Sequence, residues 1–546
     1  MATPRFSILT PVYDTPADVL EAMLKSVLRQ RLGDWELCLV DDLSPDPAVL
    51  ERLRRAAAED SRIRLLERDS NGGIVAASND ALAMAQGEFV VLLDHDDALH
   101  PDALAQVAAA IDANPEADYV YTDEDKIDRA GRHQAPFFKP DWSPERMRTQ
   151  MYTCHLSVLR RSLVEEVGGF DAEFEGSQDW DLVLKVTERA RQVVHVPRVL
   201  YHWRMLETSA AGGGEEAKPW AFEAGTRAIQ AHCERIGIQA EAERDESHPG
   251  VYRLQPRLRE QPPVSIVIPT AGQSREVRYE DVVLVTHCVR SVVETSTYEN
   301  YEVVVVVDAS VDPATIAELR RIAGDRLRLV DFEGPFNFSA KINRGAVRSE
   351  GRHLLLLNDD MEVVTPDWIE RLVMYAELPG VGSVGGRLLL EDGRIQHAGI
   401  LFENGGYAGH IYHGFAREYN GYSNNVLVAQ NYLAVTGACM LTPRDAFENV
   451  GGFSTVFPLN YNDMDYCLKL RATGLRTVYD PDTVLYHFES SSRSTEVEDW
   501  EKEALIARWL PLTIVDPSTN PHLRHGIPRL SSPLAWVKRS LPPLRR

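Results

Sequence analysis

The amino-acid sequence repeats itself once, and this duplication constrains the fold more than any other feature. Five short motifs of the first half return in the second half in the same order. The matched segments are Ser7–Pro11 with Ser265–Pro269, Leu39–Asp41 with Val306–Asp308, Gly87–Asp94 with Gly351–Asn358, Val167–Phe170 with Val450–Phe453, and Val199–His202 with Val484–His487. A chain of 546 residues is also too long for one hydrophobic core. The sequence therefore predicts two duplicated domains, residues 1–258 and 259–520, followed by a basic tail at residues 521–546.

Each copy alternates short apolar strands with helices. In the first copy, the pattern predicts strands at Phe6–Thr10, Glu36–Val40 and Glu88–Leu93, with helical segments between them. Such alternation is typical of an α/β domain with a mostly parallel sheet. Ligands of these sheets bind beyond the carboxyl ends of the strands. We therefore expect a binding site at the polar residues found there, which are Thr10, Asp41, Asp42, Asp94 and Asp96.

The strongest local feature is a run of acids, Asp94 to Asp97 with His95 among them, at the end of an apolar strand. Like charges this close repel unless a cation or hydrogen bonds compensate them. Oxygen ligands suit Mg²⁺ or Mn²⁺, and a metal held by one or two carboxylates is common where phosphates are handled. The alternative interpretation is an acidic turn that caps the following helix. The second copy has Asn358 in place of Asp94, so its site carries less negative charge.

Two further residue types recur at matching places in both copies. Asp179 precedes an amphipathic helix and is matched by Asp463, so each is a candidate general base as well as a candidate helix cap. His202 follows a strand and is matched by His487. A lone histidine is more often structural, but its repetition makes a metal-ligand role equally plausible. The sequence contains no GxxxxGK[ST] loop, so a metal and scattered polar groups are expected to hold phosphates.

Charge and composition exclude some classes of protein. The net charge of −24 argues against binding to nucleic acid. The six cysteines form no CxxC pair, and the chain shows neither a secretory signal nor a membrane-length apolar run, so we expect a cytoplasmic protein. The segment 522–546 has six Lys/Arg residues and no acid. It is interpreted as a solvated tail or, alternatively, as a peripheral contact with the inner face of the membrane.

Further motifs complete the pattern. They are Asn71–Ile74, Leu93–Asp97, Tyr121–Lys126 and Phe138–Trp142 in the first half, and Asn337–Ser339, Leu357–Asp360, Thr436–Cys439 and Asn462–Tyr466 in the second. As a set they resemble the family 2 glycosyltransferases, which have the GT-A fold, and among these the tandem bacterial enzymes of O-antigen and surface-polysaccharide assembly. The resemblance implies two tandem GT-A domains with Rossmann-like, mostly parallel sheets. It also implies inverting hexosyl or deoxyhexosyl transfer from nucleotide-sugar donors to a growing, lipid-linked glycan, with Mg²⁺ or Mn²⁺ as cofactor.

The same resemblance implies roles for individual residues. Asp179 and Asp463 would be the general bases, and Asp96, His202, Asp360 and His487 would hold the metal. The residues implied to contact the nucleotide sugar are Thr10, Pro11, Tyr13, Asp41, Asp42, Asn79, Asp94, Thr270, Asp308, Asn343 and Asp359. Asp141 and Trp142 would contact the acceptor, with simple packing the equal alternative for Trp142. We expect both halves to be active. The alternatives are one catalytic half with the other binding the acceptor, and a noncatalytic glycan-binding scaffold.

Overall fold

The computed structural model describes residues 3–206, 219–403, 407–488, 498–524 and 526–528. The strands of the first half are β1 (Phe6–Val12), β2 (Trp35–Asp41), β3 (Ile63–Glu67), β4 (Phe89–Leu92), β5 (Ala98–Leu99), β6 (Ala117–Ile127), β7 (His133–Phe137), β8 (Ser157–Arg160), β9 (Gln192–Arg204), β10 (Ala240–Arg244) and β11 (Tyr252–Pro256). Its helices span Ala17–Leu28, Pro47–Glu59, Gly73–Met84, Ala103–Ala113, Pro144–Met147, Arg161–Glu166, Gln178–Thr187 and Pro219–Ile236.

The second half contains a corresponding set of elements. Its strands are β12 (Val264–Thr270), β13 (Ser274–Val277), β14 (Glu280–Val283), β15 (Tyr301–Asp308), β16 (Leu327–Phe332), β17 (His353–Leu357), β18 (Met361–Val363), β19 (Val381–Leu389), β20 (Ile395–His397), β21 (Ile400–Glu403), β22 (Tyr407–His410), β23 (Gln430–Tyr432), β24 (Cys439–Pro443), β25 (Arg476–His487), β26 (Leu523–Arg524) and β27 (Ile527–Pro528). Its helices span Leu284–Thr295, Pro313–Ala323, Phe338–Arg348, Trp368–Ala376, Arg444–Asn449, Asn462–Ala472 and Asp499–Thr513.

The two large sheets have the same topology, which confirms the predicted duplication and α/β class. The strand order is β3-β2-β1-β4-β8-β6-β9-β5 in the first half and β16-β15-β12-β17-β24-β19-β25-β18 in the second. The first four strands of each order are parallel, and β8 and β24 then run antiparallel to β4 and β17. The strands β2 and β17 of this parallel part are buried along their whole length, as expected for strands covered by helices on both faces. The carboxyl ends of β1, β2 and β4 therefore converge on one edge.

Strand pairing aligns the two copies residue by residue and corrects one match made from the sequence. The first residues of β2 and β15 pair with the first residues of β1 and β12. Counting from these pairs, Asp308 corresponds to Asp42, and Asp41 corresponds to Val307. The match of Leu39–Asp41 with Val306–Asp308 is therefore wrong by one residue. The sequence match aligned Asp41, the first of two adjacent acids, with the single acid Asp308. The register is set instead by the pairing at the start of each strand.

The two halves pack against each other through buried polar groups. Glu145 is fully buried and accepts hydrogen bonds from Arg148 of its own half, at 3.1 Å, and from Arg476 Nη2 of the other half, at 2.8 Å. Arg146 Nη1 donates to Gln430 Oε1 across the same interface, at 2.9 Å. Breaking a buried pair of this kind by removing one partner is strongly destabilising. The two domains are therefore tied by specific charges as well as by the connecting chain.

The segment after the last long helix returns from the second half to the first. Asp516 accepts a hydrogen bond from the Phe402 N–H at 2.8 Å, and the ring of His522 lies 4.9 Å from that of Phe138 in the first half. Leu523 is buried beside Phe138. The packed fold thus extends past the boundary predicted at residue 520, whereas residues 525 and 529–546 of the predicted tail lie outside the described residues. In the described ranges, no helix is long and apolar enough to cross a membrane.

Candidate active site

Asp42 holds the glycine turn at the carboxyl end of β2. Its carboxylate accepts hydrogen bonds from the backbone N–H groups of Gly72 and Gly73, both at 2.9 Å. Arg68 Nε lies 2.9 Å from the same carboxylate. Asp42 therefore fixes the start of the following helix. Its carboxylate already has three partners, so a nucleoside would have to share that carboxylate with them.

Asp41 and Thr10 leave polar atoms open at the same edge. Asp41 accepts one hydrogen bond, from the Ser44 N–H at 3.3 Å. Its Oδ1 atom and Thr10 Oγ1 are buried and have no hydrogen-bond partner among the described residues. Pro11 follows Thr10 in β1, and the Tyr13 side chain beyond it is 48% exposed. Because buried polar groups are normally paired, the two open atoms are well suited to a polar ligand.

The last acid of the Asp94–Asp97 run belongs to the fold. Asp97 is fully buried and accepts hydrogen bonds from the Tyr201 hydroxyl at 2.5 Å and from the Arg204 N–H at 2.7 Å. Burial raises the pKa of Asp97, and the neighbouring charges of Asp96 and Asp94 raise it further. Arg204 Nε also donates to the carbonyl oxygen of Asp96. The acidic turn is thereby anchored to β9, with Asp94 and Asp96 as its half-buried members.

His202 lies on β9, opposite Ala98 of the short strand that follows the acidic turn. Its Nδ1 atom is 2.6 Å from Asp125 Oδ1, and Asp125 Oδ2 is 2.9 Å from His133 Nδ1. An Nδ1–H donated to a carboxylate fixes the ring and leaves Nε2 as the nitrogen that can bind a metal. Asp125 and His133 were not among the residues predicted from the sequence.

His155 is a third residue that the sequence analysis missed, and it lies near both the acidic turn and Asp179. Ligand atoms of Asp94, Asp97 and His155 lie within 4.8 Å of one another. Burial raises the pKa of Asp179, nearby His155 lowers it, and the Asp94 carboxylate raises it. The His155 ring stacks on Tyr201 at 4.6 Å. The first half therefore joins the predicted base to the predicted donor acids through an imidazole.

The donor sets of this half fit a divalent cation. The atoms of Asp125, His133 and His202 also lie within 4.8 Å of one another. Both groups combine carboxylate oxygens with imidazole nitrogens, which are ligands of Mn²⁺ and related metals. The close acids repel one another unless a cation compensates them.

The second half brings its predicted metal ligands together. His487 Nε2 is 3.1 Å from Asp360 Oδ1 and 3.4 Å from Asn358 Nδ2. His487 Nδ1 is 2.9 Å from Gln396 Oε1. Gln396 therefore orients His487 as Asp125 orients His202, with a neutral amide oxygen in place of a carboxylate.

At three aligned positions the second half lacks ionisable groups that the first half has. The positions are aligned by counting without gaps from the strand pairs of β4 and β8 in the first half and of β17 and β24 in the second. The groups are Asp94, Asp97 and His155, and their counterparts are Asn358, Met361 and Ala438. The loss of negative charge predicted at Asn358 is thus one of three changes around the second site. The second site has fewer negative oxygen ligands for a metal than the first.

Asp463 is held by the backbone rather than by an imidazole. It is at the start of the helix Asn462–Ala472, and its Oδ2 atom accepts a hydrogen bond from the Gly437 N–H at 3.0 Å. A Cβ atom at Gly437 would lie only 3.3 Å from Asp463 Cβ. The first half has Cys154 at this position, so glycine is what permits the close approach in the second half.

The edge of the second half that is predicted to bind the nucleoside contains a buried lysine. Lys341 Nζ lies 2.7 Å from Asp308 Oδ1 and donates to the Thr270 carbonyl oxygen at 3.2 Å. Thr270 Oγ1 donates to Asp359 Oδ2 at 2.6 Å. Asp308, Thr270 and Asp359 therefore cluster as expected for one binding edge, and Lys341, which the sequence analysis did not single out, neutralises Asp308.

The structure gives Asn79 and Asn343 a different role from the predicted donor contact. Asn79 Nδ2 donates to the Phe170 carbonyl oxygen, and its Oδ1 accepts from the Phe170 N–H. Asn343 makes the same two bonds with Phe453. Both ends of each amide are used to clamp the glycine turn of the Gly-Gly-Phe motif onto a helix, and a contact with the nucleotide sugar stays a prediction for both residues.

The predicted acceptor residues lie at the end of a loop on the first half. The Asp141 side chain is half exposed, and its Oδ1 is 3.0 Å from His195 Nδ1. The Trp142 ring stacks on Tyr152 at 6.4 Å. Asp141 therefore presents a charged oxygen to solvent while part of the Trp142 surface is used in packing.

Comparison with known proteins identifies the family. The model described as "Glycosyl transferase family 2" matches residues 7–168, and "Glycosyltransferase like family 2" matches residues 262–510. The chain is 39% identical to the O-antigen biosynthesis protein RfbC of Myxococcus xanthus. The matched region covers 95% of this chain and 40% of the relative. The chain is 40% identical to protein y4gI of Sinorhizobium fredii, again over 95% of its length and 58% of the relative. The chain thus spans about half the length of these curated relatives.

Two shorter similarities cover part of the chain. A PGL/p-HBAD biosynthesis glycosyltransferase of Mycobacterium bovis is 32% identical over 34% of this chain and 70% of its own length. The solved structure of S. aureus TarS residues 1–349 with UDP is 22% identical, with a TM-score of 0.33 over 42% of this chain and 65% of that one. Two family matches in tandem, on two sheets of one topology, show that the chain belongs to glycosyltransferase family 2.

Proposed function

We propose that this chain transfers two sugars, one in each half, from nucleotide-sugar donors to a growing, lipid-linked surface polysaccharide by metal-dependent, inverting displacement. The observation that carries the proposal is the recurrence, in one topology, of a strand-end aspartate, a histidine on a neighbouring strand and an aspartate at a helix start. These are Asp96, His202 and Asp179, then Asp360, His487 and Asp463. The similarity to the O-antigen biosynthesis protein of Myxococcus xanthus supports surface polysaccharide as the product.

The residues divide the work of an inverting displacement. Asp96 with His202, and Asp360 with His487, would hold Mg²⁺ or Mn²⁺, which supplies positive charge to the leaving nucleoside diphosphate when bound. Asp41 and Thr10 offer open polar atoms to the donor in the first half. Asp179 and Asp463 accept the proton of the acceptor hydroxyl as that oxygen attacks the anomeric carbon. Attack from the face opposite the leaving group inverts the anomeric centre.

Separate aspartate variants of the full chain test the proposal. Asp179→Asn and Asp463→Asn each remove one base while keeping the side-chain shape. Release of nucleoside diphosphate is measured with UDP-, dTDP- and GDP-sugars and Mn²⁺. We expect each variant to lose one transfer by about 10²-fold or more and to keep the other. Glu166→Gln, at a side chain that is 62% exposed, is the matched control.

A second candidate function has its own observation. The second half lacks the groups found at Asp94, Asp97 and His155, which favours a single catalytic half with the second binding the acceptor. If Asp179→Asn abolishes all transfer and Asp463→Asn abolishes none, this candidate replaces the bifunctional enzyme.

The tail is proposed to contact anionic membrane lipids at the inner face of the cytoplasmic membrane. The support is its composition, because residues 522–546 include six basic residues and no acid. Removal of residues 529–546 should weaken binding to phosphatidylglycerol vesicles, and unchanged binding would refute the contact.

A further inference from the structure

A loop of the first half, residues 136–142, is held at both ends by the second half. At one end, the Tyr422 hydroxyl donates to the Pro136 carbonyl oxygen at 2.6 Å and accepts from the Phe138 N–H at 3.0 Å. At the other end, the Asp141 N–H donates to the Pro517 carbonyl oxygen at 2.8 Å. The loop thus takes its conformation from residues nearly 300 and nearly 400 positions away in the sequence.

Asn520 is the central contact at this end. It is 1% exposed, and its Nδ2 donates to both oxygens of Asp123, at 3.1 and 3.0 Å, and to the Lys139 carbonyl oxygen at 2.9 Å. Its Oδ1 accepts from the His522 N–H at 3.0 Å. Every polar atom of this buried amide is therefore used, and most of its partners belong to the first half. Such fully satisfied buried networks specify one arrangement of the chain.

Two routes lead from Asn520 into the first active site. Asp123 Oδ1 is 3.0 Å from His195 Nε2, and His195 Nδ1 is 3.0 Å from Asp141 Oδ1. Along the other route, Lys139 accepts from Asn520 through its carbonyl oxygen and donates through Nζ to the His155 carbonyl oxygen. The first route ends on the half-exposed Asp141 carboxylate, and the second ends on the residue beside Asp94 and Asp179.

We propose that Asn520 of the second half is a positioning residue for acceptor binding in the first half. It acts by holding Asp123 and Lys139, and through them Asp141 and His155. This inference rests on the proposed function, since it needs an acceptor at the loop of residues 136–142. It assigns the second half a part in the first transfer that is separate from its own chemistry.

The test compares three variants of the full chain, all in an Asp463→Asn background so that transfer reports on the first half. Asn520→Ala removes the donor. Asn520→Asp keeps the shape but places a carboxylate against Asp123. Thr519→Ala, at the neighbouring residue, is the control. Amide hydrogen exchange is measured for the loop of residues 136–142, and affinity for UDP with Mn²⁺ is measured by calorimetry. Transfer kinetics use p-nitrophenyl glycosides as acceptors.

We expect both Asn520 variants to speed exchange at Lys139 and Asp141 by tenfold or more, with Asn520→Asp the faster. The acceptor KM should rise several-fold while the affinity for UDP with Mn²⁺ stays unchanged, and Thr519→Ala should change neither. Unchanged exchange, or faster exchange with an unchanged acceptor KM, would overturn the inference. If the background enzyme itself transfers no sugar, the proposed function fails, whereas the exchange data still decide whether Asn520 positions the loop.

Discussion

Replacing Asp125 should weaken metal binding in the first half while leaving Asp96 and His202, the two metal ligands proposed there, in place. Asp125 is fully buried and accepts from His202 Nδ1 at 2.6 Å and from His133 Nδ1 at 2.9 Å. Loss of the partner that orients a metal-binding histidine typically costs 10- to 100-fold in metal affinity, or roughly 1.4–2.7 kcal/mol. We expect Asp125→Ala to weaken the binding of Mn²⁺ to the first half by a factor within this range.

Asp125→Asn separates orientation from charge. The asparagine keeps one oxygen, which can still accept from His202 while its NH₂ group faces His133. Its loss of Mn²⁺ affinity should therefore be smaller than that of Asp125→Ala. The second half already uses the neutral oxygen of Gln396 for the same purpose, at 2.9 Å from His487. Gln396→Glu should accordingly tighten Mn²⁺ binding there.

The measurement is an Mn²⁺ titration followed by the electron paramagnetic resonance signal of free Mn²⁺, with UDP present. His487→Ala in the background weakens the second site, so that the titration reports the first. Circular dichroism and the unfolding temperature check that the Asp125 variants are folded. If Asp125→Ala is folded and binds Mn²⁺ as tightly as the parent, then Asp125 does not orient a metal ligand and the assignment of His202 loses its support.

Three further changes test the interface and the difference between the halves. Glu145→Gln should lower the free energy of unfolding by about 3 kcal/mol in urea titrations, because Arg476 and Arg148 lose their buried counter-charge. Burial works to raise the pKa of Glu145, but these arginines hold it at about 2, so the stability is fully present above pH 4.5 and is lost as the pH falls from 4.5 towards 2. The parent should therefore lose more stability over that pH window than Glu145→Gln does. Asn358→Asp should tighten Mn²⁺ binding by the second half several-fold, as measured by calorimetry, since it adds a carboxylate beside Asp360 and His487. His155→Ala should slow first-half transfer about tenfold, equivalent to about 1.4 kcal/mol, and leave second-half transfer unchanged. An equal effect on both halves would contradict the asymmetry seen at this position.

The sequence predicts those parts of the molecule that follow from local patterning. Apolar runs ending in acids give the strands and their carboxyl ends, and parallel strands place those ends on one edge. This is why Asp360 and His487, 127 positions apart by number, could be expected to meet, and they lie 3.1 Å apart. The order of five repeated motifs was enough to predict two sheets of one topology.

What the sequence could not provide depends on register and on contacts between distant elements. The local sequence offers no reason to align Asp308 with Asp42 rather than with the adjacent Asp41. Only the pairing of whole strands identified Asp42 as the counterpart. Asn79 looked available for a ligand because its partner, the Phe170 backbone, is 91 positions away. His155 carries no repeated signal, because the second half has Ala438 at that place.

The aligned differences indicate how duplication separated two sites on one scaffold. The shared residues are those that fix the site geometry, namely the strand-end aspartate, the histidine of β9 or β25 and the aspartate at the helix start. The changed residues alter the charge around them. A carboxylate orients the histidine in the first half and an amide does so in the second. The His155 imidazole lies beside Asp179, whereas the Gly437 N–H donates to Asp463 at the matching place. Because these replacements spare the shared frame, they are where differences in metal affinity and donor choice between the halves should arise.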